Sequence, residues 1–209
     1  MSYVKSDGIP KAETVLPIKR KSDLKKVKVY LKATNLRNYT IFTVGINVLL
    51  RAGDLLNLKW SDVMENENQF KDRFTIAEDK TDKRRTVKMN SSALEALKEY
   101  KESLKEFHLD LFIFESRKKN KDGVKKLEVK ALHRIVKETC KNLGLKGNYG
   151  THTLRKTGAY HMYVNGIAQN PMILAKLQRM LNHSSSAVTL RYIGIEQQEI
   201  DDIYDELNL

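Results

Sequence analysis

The spacing of apolar residues predicts a largely helical protein with one interruption by extended structure. From Ser22, a candidate N-cap, Leu24, Val27, Tyr30 and Leu31 recur at intervals of three and four, which marks one apolar helix face. From about Asn38 to Leu50, the residues Tyr39, Ile41, Phe42, Val44, Ile46 and Val48 leave almost no polar side. That second helix is expected at the centre of the core. Arg51 comes at its end, Gly53 breaks it, and residues 54–58 read as a further short turn or helix. Between Trp60 and Asn90 the period changes. Residues 72–77 and 85–89 read as strands joined by the tight basic turn Lys80-Thr81-Asp82-Lys83, a small antiparallel sheet inserted in a helical domain. Ser92 and Glu95 have capping-box spacing for a helix through Leu94, Leu97, Tyr100 and Leu104. Residues 111–114 form a short extended piece, and residues 116–123 a basic loop, either a solvated turn or a phosphate contact.

In the C-terminal half, Val129, Leu132, Ile135, Val136 and Leu143 mark the buried face of a helix ended near Gly144. His133 falls off that face as a solvated residue. The next helix carries His152 and Arg155 and stops near Gly166. Asn170-Pro171 then supplies an N-cap and a first-turn proline for a helix through Ile173, Leu174, Leu177 and Leu181. The last sixteen residues hold six acids and no lysine or arginine, with Ile200, Ile203, Tyr204 and Leu207 at helical spacing. The expected organisation is a basic lead-in over 1–19, one domain over 20–195, and an acidic amphipathic tail helix over 196–209. The fold class is mainly α with a small antiparallel β-sheet (α+β).

Composition narrows the partners. The formal charge of +12 over 209 residues favours a polyanion, nucleic acid first. A single cysteine, Cys140, excludes an internal disulfide framework, and its helical neighbours make it a small, partly buried hydrophobe rather than a reactive thiol. No apolar run reaches the length of a membrane span and no signal-peptide core opens the chain, so the expectation is a cytoplasmic protein with no membrane partner. Histidines and carboxylates nowhere cluster at metal-ligand spacing.

The chemistry-bearing residues lie between Thr151 and Tyr192. His152 and Arg155, three apart on a helix, project from one face and can meet the same anion. His183 and Tyr192, nine apart, fall around the end of one helix and the start of the next. Two histidines, an arginine and a phenol suit chemistry on a phosphodiester. A phenol with a pKa of about 10 is ionised at neutral pH only to on the order of one part in a thousand, so it needs a base or a strongly positive site.

These segments resemble the catalytic signature of the tyrosine recombinases, the phage integrases and their relatives. Residues 50–60, with Arg51, are similar to the family's first arginine box, and residues 80–87 to its β-turn lysine segment. The matching segments follow in the family's order over about residues 20–195. The resemblance implies a site-specific DNA recombinase or integrase that cleaves and rejoins double-stranded DNA through a 3′-phosphotyrosine, with no metal, cofactor or ATP. Arg51 and Arg155 would hold the non-bridging phosphate oxygens and Asp54 would orient Arg51. Lys80 would protonate the leaving 5′-oxygen, His152 would assist proton transfer at the nucleophile, His183 would hydrogen-bond the phosphate, and Tyr192 would attack. The implied partners are double-stranded DNA and further copies of the chain assembled on it.

Alternatives remain beside several of these residues. Lys83 competes with Lys80. Tyr149 lacks the spacing to His183, Tyr204 lies on the apolar stripe of the tail, and His161 reads as packing. The family's usual glycines shortly before the first arginine and just before the second histidine are replaced by Leu49 and Asn182. Residues 1–19 are too short for the DNA-clamping N-terminal domain of many relatives, so a compact catalytic protein or an excised fragment is expected. The tail would dock on a neighbouring protomer or pack in cis. The competing functions are a type IB topoisomerase and a non-catalytic DNA-binding regulator on a degenerate domain.

Overall fold

The computed structural model of the chain describes residues 14–77, 84–120 and 123–195. In chain order the elements are α1 (Lys21–Thr34), α2 (Leu36–Val48), α3 (Ala52–Asn57), α4 (Trp60–Val63), β1 (Met64–Asn66), β2 (Gln69–Phe70), β3 (Arg73–Ala77) and β4 (Arg84–Lys88). They continue as α5 (Ser91–Glu102), β5 (Glu115–Asn120), β6 (Gly123–Lys126), α6 (Val129–Asn142), α7 (Thr151–Gly166), α8 (Ile173–Leu181) and α9 (Ser186–Ile193). The six strands pair as three separate antiparallel hairpins, so the β content is larger and more divided than one sheet. The expected hairpin is present as β3–β4, in register from Arg73 opposite Lys88 to Ala77 opposite Arg84.

Several expectations need correction. Ser22 does not cap α1: the amide of Leu24 bonds the carbonyl of Arg20, which makes Arg20 the N-cap residue. Helix α5 starts at Ser91 because the side chain of Asn90 accepts from the amide of Ala93 at 3.0 Å, displacing the Ser92–Glu95 pattern. The basic stretch over 116–123 is largely the β5–β6 hairpin rather than a loop. Val129 is 45% exposed, whereas Cys140 is buried with its thiol pushed up to about 12 by desolvation. The tight turn with Lys80 and Lys83 and the tail over 196–209, Tyr204 included, lie outside the described residues.

Residues 16–18, read as part of a loose lead-in, are pinned along α7. The hydroxyl of Thr153 donates to the carbonyl of Leu16 at 2.9 Å, and the amide of Ile18 donates to the Thr157 hydroxyl at 2.9 Å. His161 Nε2 meets the carbonyl of Ile18 at 3.0 Å, which gives that histidine the packing role expected of it. Ile18 itself is buried, and this burial together with three bonds to one helix overrides the disorder implied by prolines and lysines.

Helix α2 is buried on all sides, as its apolar run requires. It packs on α1, α5 and α7. The larger apolar core surrounds it, while a second core gathers Leu49 from the end of α2 with Ala159, Ile173, Leu177, Leu181 and Ile193 of α7, α8 and α9. The turn after α2 divides the two: Leu49 enters the second core and Leu50 the first. Leu49 achieves this in the left-handed region, with φ 54°. That conformation costs a non-glycine residue about 1–2 kcal/mol. Burial of its side chain offsets a similar amount. Arg85 of β4 adds to this, donating to the carbonyls of Leu49 and Val48 at 3.1 Å each and so satisfying the end of α2.

Close approach of α7 to this helix end depends on Gly158. A Cβ there would stand 1.9 Å from the carbonyl oxygen of Ile46 and 2.4 Å from Leu49 Cδ2. The first obstacle is backbone, which cannot rotate away. We expect Gly158→Ala to lower unfolding stability by about 2 kcal/mol or more in urea titration; an unchanged midpoint would contradict the packing. Arg85→Met should cost about 1–3 kcal/mol, and a loss no greater than that of Arg84→Met would show that the helix end does not need it.

Candidate active site

The left-handed turn at Leu49 delivers Arg51 as the N-cap residue of α3. One turn along, the buried carboxylate of Asp54 lies 3.9 Å from Arg51 Nη1, close enough to orient the guanidinium. Gly150 opens α7, and its amide bonds the Thr153 hydroxyl at 3.0 Å. The half-buried ring of His133, expected in solvent, packs on Gly150, where a Cβ would lie 2.6 Å from the ring. The start of α7 is thereby held from two sides, and it carries His152, Arg155 and Lys156.

Arg155 is buried and donates from Nη2 to the carbonyl of Leu181 at 3.1 Å, at the C-terminus of α8. The residue that follows Leu181, Asn182, is left-handed with φ 54°, a conformation asparagine tolerates. Leu49 and Asn182 are the two non-glycine residues with positive φ among those described. Both positions where the related pattern has glycine thus keep the glycine-like backbone without it.

His183 follows Asn182, and its Nδ1 lies 3.2 Å from the buried Thr189 hydroxyl. Helix α9 is capped by Ser185, whose side chain accepts from the amide of Val188, and Tyr192 occupies its last turn. The Tyr192 phenol is 3.5 Å from His152 Nδ1, at the outer limit of a hydrogen bond. Its ring meets the His183 ring edge-on with centroids 4.8 Å apart. The Lys156 ammonium lies over the ring, 5.2 Å from its centroid.

Five of the six residues expected from the sequence therefore converge: Arg51, His152, Arg155, His183 and Tyr192. Lys80 is the sixth and lies outside the described residues. Tyr149, the rival for Tyr192, is elsewhere and bonds the carbonyl of Lys146. Sequence reasoning missed Lys156 and Arg85. A lysine after an arginine on a helix reads as surface, and a strand arginine reads as solvated, so no local signal distinguished either.

The electrostatics follow from partial burial among cations. Desolvation lowers the pKa of His152, and Arg155, Lys156 and Arg51 lower it further, although the residue is exposed and solvent screens these effects. Desolvation, then Arg155 and Arg51, lower His183 in the same way. Burial pushes the Tyr192 phenol above its usual value, and Arg155 and Arg51 pull it partly back. The resting site thus holds neutral imidazoles and a neutral phenol beside permanent cations. Such a site gains most from an arriving anion. Among the described residues no group of three His, Cys, Asp or Glu side chains is placed to hold a metal. No helix among them is long and apolar enough to cross a membrane.

Comparison with known proteins matches residues 18–199 to the phage integrase family. The probable integrase/recombinase YoeC of Bacillus subtilis is 38% identical over 88% of this chain and 91% of its own length. The tyrosine recombinase XerC of Caldanaerobacter subterraneus is 29% identical over 78% of this chain but 43% of its own. In fold, the chain superposes on the XerH site-specific recombinase bound to its palindromic difH substrate with a TM-score of 0.65 at 22% identity, covering 97% of this chain and 55% of that one. The chain thus spans nearly all of YoeC but about half of these two Xer proteins. The chain belongs to the phage integrase family, and its fold is that of a tyrosine recombinase catalytic domain.

Proposed function

We propose that this protein cleaves and rejoins double-stranded DNA at a specific site, using Tyr192 as the nucleophile and forming a 3′-phosphotyrosine. The convergence of Tyr192, two histidines and two arginines on one half-buried surface carries this reading. Arg51 and Arg155 bind the non-bridging oxygens of the scissile phosphate and stabilise the charge that grows on them in the transition state. His152 Nδ1, unprotonated, takes the phenol proton. The one hydrogen of the Thr189 hydroxyl goes to the carbonyl of Ser185 at 3.2 Å, so His183 Nδ1 donates to that hydroxyl oxygen, and Nε2 hydrogen-bonds the phosphate once it has taken a proton. Lys80 protonates the departing 5′-oxygen. Rejoining reverses these steps, so the ester bond energy is retained and no nucleotide is spent.

Tyr192 lies 3.5 Å from His152 of its own chain, which supports cleavage in cis. Several copies act together on DNA to exchange strands, which separates this reading from a topoisomerase working alone. The chain's charge of +12 fits the sequence-independent part of binding, which weakens as salt rises.

Two measurements test the proposal. A duplex recovered by selection with this protein from a randomised pool, then nicked to trap the intermediate, should give a covalent adduct. Tyr192→Phe should abolish that adduct, and Arg51→Ala or Arg155→Ala should slow it by about a hundredfold or more. Tight binding with no adduct from the unmodified chain would instead favour the regulator. Histidine NMR titration of the free protein should place the midpoints of His152 and His183 below the usual value near 6.5. The folded chain then binds fewer protons than the unfolded one. The stability these groups contribute is complete above the unfolded value and lost as pH falls through the folded one. Midpoints above 6.5 would contradict the account of two imidazoles held down by burial among cations.

A further inference from the structure

Lys156 is the one strongly buried lysine among the described residues, 6% exposed. Taking an ammonium out of water is costly unless electron-rich groups compensate. One compensating group is the face of Tyr192, 5.2 Å from the ammonium. Successive residues on a helix point about 100° apart, so Arg155 and Lys156 diverge to different targets. Arg155 takes the carbonyl of Leu181 at the end of α8, and Lys156 takes the ring of Tyr192 in the last turn of α9. One turn of α7 therefore grips both ends of the segment that presents the nucleophile.

We propose that Lys156 is a positioning residue for the nucleophile: its ammonium holds the Tyr192 ring by one face and supplies positive charge beside the phenol as its proton leaves. The inference rests on Tyr192 being the nucleophile. In the step it serves, the phenol proton passes to His152 Nδ1 and the phenolate oxygen bonds to phosphorus. The bond from phosphorus to the 5′-oxygen breaks, and that oxygen takes a proton from Lys80. Lys156 keeps its protons throughout and acts only through the ring.

Among the described residues, the charged and titratable groups around Tyr192 come from four places. His152, Arg155 and Lys156 lie on α7, His183 on the turn between α8 and α9, and Arg51 on the turn between α2 and α3, with Asp54 of α3 behind it. The histidines approach the ring edge-on, with centroids 4.8 Å and 6.4 Å away, so they contact the ring differently from the ammonium over its face. Burial pushes the phenol up, which makes added positive charge at this ring effective.

The test replaces Lys156 with Met, which keeps the length of the stem and removes the charge, with Gln as a second neutral variant and Arg as the charge-retaining one. Thermal unfolding midpoints identify the variants that are folded. In the free protein, NMR of ring-labelled tyrosine, assigned with Tyr192→Phe, follows the ionisation of Tyr192. The neutral variants should titrate at higher pH than the unmodified chain, and Lys156→Arg should titrate close to it. On the nicked selected duplex, Lys156→Met should cleave roughly tenfold slower at pH 7, recovering as pH rises, while Lys156→Arg cleaves within about threefold of the unmodified chain. A structural role alone would lower the unfolding midpoint without moving the Tyr192 titration. A folded neutral variant with an unmoved Tyr192 titration and an unchanged pH profile overturns the proposal. If the unmodified chain forms no adduct, the recombinase reading fails, while the tyrosine titration still decides whether the ammonium acts on the ring.

Discussion

The site depends on two helix ends held in left-handed turns by residues that are not glycine. After α2 the chain turns at Leu49 and, two residues later, presents Arg51; after α8 it turns at Asn182 and next presents His183. In each case an arginine distant in sequence binds the carbonyls at the helix end, Arg85 on Val48 and Leu49, and Arg155 on Leu181. A helix C-terminus carries partial negative charge and unsatisfied carbonyls, and a guanidinium answers both. The strain at Leu49 is tolerable because its side chain completes the second core. The packing that folds the protein and the geometry that aims its reactive groups are therefore one arrangement.

That arrangement concentrates positive charge. Arg51, Arg155 and Lys156 all act on the His152 ring, and the buried Asp54 lies 3.9 Å from Arg51 Nη1. Self-repulsion among these cations opposes folding, and the cores on either side offset it. The same repulsion favours any anion that reaches the site and disfavours protonation of the imidazoles. Arg155 serves both purposes, since one guanidinium bonds the end of α8 and bears electrostatically on Tyr192. Through β4, Arg85 also ties the helix end before Arg51 to the β3–β4 hairpin.

Helix positions were legible where apolar residues repeat at the helical period: α2, α6 and α8 lie close to where Ile41, Val136 and Leu177 placed them, and α7 spans the helix expected to carry His152 and Arg155. Caps were less legible, since Asn90 and Ser92 both have the chemistry and local backbone geometry chose Asn90. The β5–β6 hairpin escaped notice because residues 115–120 contain no apolar side chain, and backbone pairing alone leaves no hydrophobic period. The motif residues of the site were legible through their order and spacing. Lys156 and Arg85 were not, because their importance lies in what they touch across the fold, Tyr192 and Leu49. The replacements at Leu49 and Asn182 looked like departures in sequence, yet φ shows the same turn retained at both.

The central claim is that Arg51 and Arg155, from opposite halves of the fold, serve one phosphate. A double-mutant cycle on the rate of covalent adduct formation tests it most directly, using Arg51→Ala, Arg155→Ala and the double variant under single-turnover conditions. Groups that act as a unit are strongly non-additive, so once one arginine is gone, removing the other should cost far less than it does in the intact protein. Losses that multiply in full, with no coupling between the two positions, would mean that the arginines work on separate events and that the shared pocket is not what drives cleavage.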